Sequence, residues 1–216
     1  MVQTDYIMRM IEELAAFLWA IIFNKKIQNY DLALIKINEA YNSLLHLNPD
    51  EIKYLTVNEI LLNNTHNNIL LNDNIEIIAN LFFQEADVLE RKNVINETSL
   101  EYYQKSLELF LILHDTTANN KYCVNINEII IKLENYNLEN RIILKIHEYY
   151  LKIELFGKAE DKLYELLENK YPDIENKIIS FYKYLLNKDN DILEKGNLPR
   201  NEITDALNEI NTNYSY

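Results

Sequence analysis

The sequence predicts an all-α protein built from antiparallel helix pairs. Three observations carry that expectation. Two Gly and three Pro in 216 residues are far fewer turn-formers than a strand-rich chain needs. Apolar residues recur three and four apart along most of the chain, which sets them on one face of a helix. Three segments also repeat one order: a helix, a tight turn, then a second helix with small residues early in it. The length allows one domain or two small ones with a real core. Helix pairs in 1–114 and in 115–216 are expected to form one continuous stack, with the polar stretch Asp115 to Lys121 as the internal boundary.

Thr4 to Phe23 is the first predicted helix. Its uncharged run, Leu14 to Phe23, is half the ~20 residues of a membrane span. Glu12 and Glu13 precede the run, and Asn24-Lys25-Lys26 follows where a small-residue cleavage site would stand, so neither a span nor a signal peptide is expected. Apolar residues from Ile7 to Phe23 cover roughly 240° of the circumference. Docking on the next helix would hide Ile7, Ile11, Leu14 and Leu18 and leave Met8, Trp19 and Phe23 open. Those three are the expected self-association residues of a homodimer, unless Pro49 to Asp73 or the C-terminal helix folds back over them.

Tyr30 to Leu47 is the second helix, with Tyr30, Ala33, Leu34, Ile37, Ala40, Tyr41 and Leu44 as its expected buried face, and Pro49 ends it. Pro49 to Asp73 is the least regular part. Thr56 and Glu59 have capping-box spacing for a short helix through Leu62, and the Asn-rich Asn63 to Asn68 reads as a loop. A central pair follows. Its first helix, Ile77 to Lys92, turns Ile78, Leu81, Phe82, Ala86 and Leu89 inward. Its second carries the stripe Leu100, Tyr103, Leu107, Phe110 and Leu111, with Glu101, Gln104, Lys105 and Glu108 facing away. Asn125 and Glu128 are placed to cap a helix bearing Ile129, Ile130 and Leu133. Leu138 to Leu155 is a strong helix, with Gly157 marking the turn after it. Lys158 to Lys170 buries Ala159, Leu163, Leu166 and Leu167. Pro172 opens a helix carrying Ile174, Ile178, Phe181 and Leu185. Gly196 and Pro199 bracket a further turn, Ile203, Leu207 and Ile210 mark a last short helix, and 211–216 should fray.

Acidic residues outnumber basic ones by 34 to 21, for a formal charge of −13. A nucleic-acid binder needs a basic footprint to displace counterions, so no nucleic-acid partner is expected. An anionic membrane surface is disfavoured on the same ground. Cys123 is the lone cysteine, so no intrachain disulfide forms, which fits a reducing cytoplasm.

The repeated order has a familiar look. Asn29-Tyr30-Asp31-Leu32-Ala33 with Ala40, Ser99 with Ser106, and Phe156-Gly157-Lys158-Ala159 with Leu166 each follow a helix. This resembles the tetratricopeptide repeat, in which a turn aromatic and small residues seven apart let helices approach closely. The third segment has Leu166 where the second small residue belongs, and the family's glycine positions fall near Ile21, Asp87 and His147. In that family the first helix of each pair lines a ligand groove. The resemblance therefore puts Gln84, Val88 and Arg91, and later Arg141, Glu148 and Lys152, on such a groove. Arg91, Arg141 and Lys152 would suit a carboxylate or an acidic peptide; ordinary solvated helix charge is the plainer account. The function implied is a non-enzymatic scaffold for a peptide or protein partner. The stretches Asp5 to Leu14 and Lys158 to Leu167 also resemble a bacterial family of uncharacterised helical-repeat proteins, which implies a bacterial cytoplasmic protein.

No catalytic motif, cofactor motif or metal site is expected: there is no H-E-x-x-H, paired C-x-x-C or glycine-rich phosphate loop. Asn187, Asp189 and Asp191 mimic the start of a calcium loop, but Ile192 stands where Gly is needed and Leu198 where Glu is needed. The alternative function rests on Leu111-Ile112-Leu113-His114-Asp115, which resembles the His-Asp doublet of helical metal-dependent phosphohydrolases. His66 and Asp173 or Asp189 would add ligands, and a hard metal there would activate water. The residues after Asp115 depart from that family, and His114 is also accounted for as a helix-end residue favoured by the dipole.

Overall fold

The computed structural model describes residues 2–67, 69–92, 97–117, 120–134 and 136–213, with side chains described between 9 and 210. Among these residues twelve α-helices form, and the strand content is one two-residue hairpin. The protein is all-α, and its helices pack in antiparallel pairs. The chain groups into two compact units, Met1–Tyr136 and Asn137–Tyr216; the polar stretch from Asp115 lies in the first. The side chain of Met8 and the closing stretch 211–216, where fraying was expected, lie outside the described side chains.

In the first unit, α1 (Val2–Lys26) pairs with α2 (Tyr30–Leu45), and α5 (Asn72–Arg91) pairs with α6 (Glu97–Thr117). α2 also packs on α5, and α7 (Cys123–Leu133) packs on α6. The small residues sit inside the helix packing. Ala33, Ala40, Ser99 and Ser106 have no exposed surface, and Ser106 Oγ donates to the Ala79 carbonyl 2.7 Å away. Between the pairs, α3 (Pro49–Tyr54) starts with Pro49 in its first turn, so the proline that stops one helix opens another. α4 (Val57–Asn63) has the Thr56–Glu59 capping box that the spacing predicts. The Asn-rich stretch expected as a loop is instead a small hairpin, β1 (Thr65–His66) against β2 (Ile69–Leu70). Asn67 takes a left-handed φ of 50° at its tip, a conformation that asparagine tolerates better than most residues. α7 starts at Cys123, before the expected cap at Asn125. The preceding 3-10 turn, Asn120–Tyr122, is held by the buried Tyr122, whose ring lies against Phe110 and whose hydroxyl donates to Glu76 at 2.8 Å.

α5 is enclosed on nearly every side, and every residue from Leu81 to Val88 is buried. The same crowding corrects the expectation for α6. Lys105 and Glu108 do not face solvent but are buried, because α3 and α4 cover that side. The Lys105 ammonium donates to the Lys53 carbonyl at 2.7 Å, pairs with Glu101 and lies over the Phe82 ring.

The second unit holds α8 (Asn140–Lys152), α9 (Phe156–Glu168), α10 (Ile174–Leu185), α11 (Asn190–Lys195) and α12 (Arg200–Asn213). The α8–α9 pair is followed by α10 against α9 and α12 against α10. α11, absent from the sequence expectation, forms around the fully buried Leu193 and takes up the Asp189–Asp191 stretch.

Five helix ends share one geometry. Gln28, His46, Glu154, Lys170 and Asn197 all have φ between 53° and 60°. After His46 the Leu47 amide reaches six residues back, to the Tyr41 carbonyl at 3.3 Å; after the other four the next amide donates to the carbonyl five residues earlier, as in Leu155 to Tyr150 and Tyr171 to Leu166, both 2.9 Å. This is the Schellman closure, which usually takes glycine at the left-handed position. Neither glycine of the chain is used there, and neither has a positive φ. Gly157 and Gly196 instead meet each other, with the Gly157 amide donating to the Gly196 carbonyl at 3.0 Å. A Cβ on Gly196 would stand 2.3 Å from the Phe156 ring and 2.7 Å from the Glu154 carbonyl oxygen, and one on Gly157 2.7 Å from the Asn197 carbonyl oxygen. The glycines are required by close approach, not by a turn.

Candidate functional site: a cleft between two helices

In the second unit α8 and α10 present facing rows at helical spacing. α8 contributes Leu144, His147, Glu148 and Leu151; α10 contributes Asn176, Lys177, Ser180, Phe181 and Tyr184. Repeats of three and four keep each row on one side of its helix. Together they line an open cleft of about 410 Å³, with Leu163 of α9 in its floor and Asp173 at one end. Leu144 and Leu151 are half-exposed and Phe181 is buried, so the floor is apolar; Glu148, Asn176, Lys177 and Ser180 are exposed along the rim.

His147 is the polar group within the floor. Its Nδ1 lies 2.8 Å from the Ala159 carbonyl oxygen. A carbonyl only accepts, so Nδ1 carries the proton and Nε2 is left as an acceptor. The ring sits edge-on to Phe181 with centroids 5.6 Å apart. Burial holds the imidazole below its ordinary value, against the opposing pull of the Ala159 hydrogen bond. The ring's Nδ1 hydrogen bond goes to the Ala159 backbone and not to Ser180.

In the first unit, the residues expected on a groove belong instead to a buried charge cluster on α5. Val88 has no exposed surface, and Gln84 is buried, its Oε1 accepting from Lys25 of α1 at 2.6 Å. Arg91 is half-exposed and bonds Asp87 through Nε at 2.8 Å. Asp87, itself buried, also receives Lys25 and Lys132 of α7, each at 2.8 Å. Burial opposes ionisation of Asp87, but its hydrogen bonds to Lys132, Lys25 and Arg91 outweigh it and hold the carboxyl well below the usual range. Lys132 also bonds Glu90 at 2.6 Å, and Tyr103 donates to the same carboxylate at 3.0 Å. On another side of α5, Glu85 pairs with Lys53 at 2.8 Å. Burial pushes this carboxyl up despite the lysine, and its Oε2 has no hydrogen-bond partner.

Of the later groove candidates, Glu148 lines the cleft, whereas Arg141 and Lys152 are exposed elsewhere on α8. Trp19 and Phe23 are exposed on α1, as expected, but so is Ile11, which was expected to be hidden. α1 is rotated so that Met10, Ile21 and Asn24 form its buried side. His114 is buried in the last turn of α6, with Nδ1 3.4 Å from Asp115, and His66 is exposed on β1. Among the described residues no three His, Cys, Asp or Glu side chains come together as a metal site would require. Nor is any described helix long and apolar enough to cross a membrane.

Asp87 and His147 were visible in the sequence only as departures from a glycine position. That was a usable signal. A polar side chain on a buried helix face must find partners or line a cavity, and these two do so.

Packed helix pairs define an all-α protein, with an open cleft between two helices of its second unit. The profile of the Family of unknown function (DUF6483) matches residues 61–215, and the chain belongs to that family. The match takes in the α5–α6 pair, α7 and the whole cleft, and it includes Lys158 to Leu167 but not Asp5 to Leu14. No curated protein and no solved structure matches the chain.

Proposed function

We propose that the protein is a non-enzymatic, tetratricopeptide-like helical scaffold that holds a peptide segment of a protein partner in the α8–α10 cleft. The observation that carries this is the pair of facing rows, with apolar side chains below and Glu148 and Lys177 at the rim. A groove of about 410 Å³ admits a few side chains of an extended or helical segment. Apolar anchors would fill the floor between Leu144, Leu151 and Phe181, and a donor on the ligand would meet His147 Nε2. The lone Cys123 and the family resemblance support a bacterial cytoplasmic setting. Selection of a displayed peptide library on the whole protein tests the reading. Selected peptides should share an apolar anchor, and both Leu151→Asp and Lys177→Glu should weaken them at least about tenfold. Peptides that bind equally well to both variants would place recognition elsewhere.

A further inference from the structure

α1 has an open face opposite its buried side. Trp19 is 68% exposed, Ile11 58%, Ile27 54%, Ile22 52% and Phe23 46%. The Trp19 and Phe23 rings stack, 5.4 Å apart and within 10° of parallel, as one flat plate. At about 100° per residue, Glu12, Ala15, Ala16, Ile22, Phe23 and Lys26 all fall within about 60° of Trp19, and Ile11 and Ile27 flank it at about 80° on opposite sides. All of them are exposed.

The order of these residues along α1 is self-complementary. A two-fold axis at Trp19 reverses the helix but keeps each edge of the stripe on its own side, so Ile22 lies over Ala15, Phe23 over Ala16, and Lys26 and Glu12, both within about 20° of the seam, stand level with each other. Bulky side chains meet small ones, each ammonium meets a carboxylate, and Trp19 meets itself. We propose that α1 pairs antiparallel with α1 of a second copy about a two-fold axis at Trp19. An isologous contact requires this kind of matching of one patch to itself. The open apolar side chains offer about 700 Å² per copy, close to the roughly 800 Å² per partner of a stable interface. A lipid surface is the other occupant that an apolar helix face admits, but Glu12 on the face and Glu13 beside it oppose an anionic bilayer. The pairing is independent of the cleft, which lies in the other unit.

Light scattering after size exclusion, on the full chain over a concentration series, tests the pairing. Trp19 is the only tryptophan, so its emission reports burial directly. A dimer is expected, with Trp19 emission shifting to the red on dilution. Trp19→Lys should give a monomer with an unchanged circular-dichroism spectrum and association at least about a hundredfold weaker. Lys26→Glu should weaken association about tenfold, because the two-fold axis repeats the pair. Adding Glu12→Lys to it should recover most of that loss. A wild-type protein monomeric at about 100 μM, a dimer that survives Trp19→Lys, or a double variant no better than Lys26→Glu alone would each overturn the proposal. So would a monomer whose Trp19 emission shifts to the blue on phosphatidylcholine or phosphatidylglycerol vesicles.

Discussion

Asp87→Asn tests what holds the first unit together. The substitution keeps the shape of the side chain and removes one charge, facing three cations. Lys25 and Arg91 both reach Oδ2 at 2.8 Å, and Lys132 reaches Oδ1 at 2.8 Å. The carboxylate is 4% exposed, so neither water nor salt screens these contacts much. Each close pair is worth about 4 kcal/mol of Coulomb energy near a protein surface, set against several kcal/mol of dehydration per ion. Breaking a buried pair by removing one partner typically costs about 3–5 kcal/mol. Lys25 keeps Gln84, Lys132 keeps Glu90 and Arg91 is half in water, so the lower end, about 3 kcal/mol, is expected here. Urea unfolding, with hydrogen exchange of the α5 amides to report on this unit, measures it. The pH dependence supplies the sign. Asp87 has a folded value below its unfolded one, so its contribution is complete above about pH 4 and is lost as pH falls from there. Asp87→Asn should flatten that part of the acid limb. A loss under about 1 kcal/mol, or an acid limb identical to wild type, would show that the cluster is solvated and that α5 is held by apolar packing alone.

Three further outcomes are expected. Gly196→Ala should destabilise the second unit by about 3 kcal/mol in a denaturant titration, because its Cβ meets both a ring and a backbone oxygen. Lys170→Gly should raise stability by about 0.5–1 kcal/mol, since it relieves a left-handed residue at φ 54°; a loss would mean that the Lys170 side chain is engaged. His147, held low by burial, stabilises fully above about pH 6.5, and that contribution falls as pH drops toward its folded value. His147→Gln should therefore flatten the thermal-stability profile below about pH 6.5.

The helix pattern was legible because it rests on periodicity, and periodicity follows from burying one face. Ala33, Ala40, Ser99 and Ser106 stood out for the same reason: spacing seven marks a close crossing, and all four are buried. Lys105 and Glu108 misled because a helix covered on two sides has no polar face, and nothing in α6 itself announces that α3 and α4 lie over it. The hairpin at Thr65 to Leu70 was too short for alternation to register. Of the cleft, Glu148 alone was read from the sequence as a groove residue. Ser180, Lys177 and Tyr184 sit on α10, and only the fold brings that helix opposite α8.

The contact between Gly157 and Gly196 also bears on the order in which the second unit is completed. A ribosome delivers Phe156 well before Gly196, and α8 with α9 needs only residues near one another in sequence to form. The seam does not. It waits until α10 and α11 have emerged and the chain has looped back, a closure opposed by the entropy of the intervening segment. Until then the Phe156 ring lacks the backbone that covers it. The second unit is therefore zipped from its start and latched near its end, and a nascent chain halted before Gly196 would carry its helices unlatched.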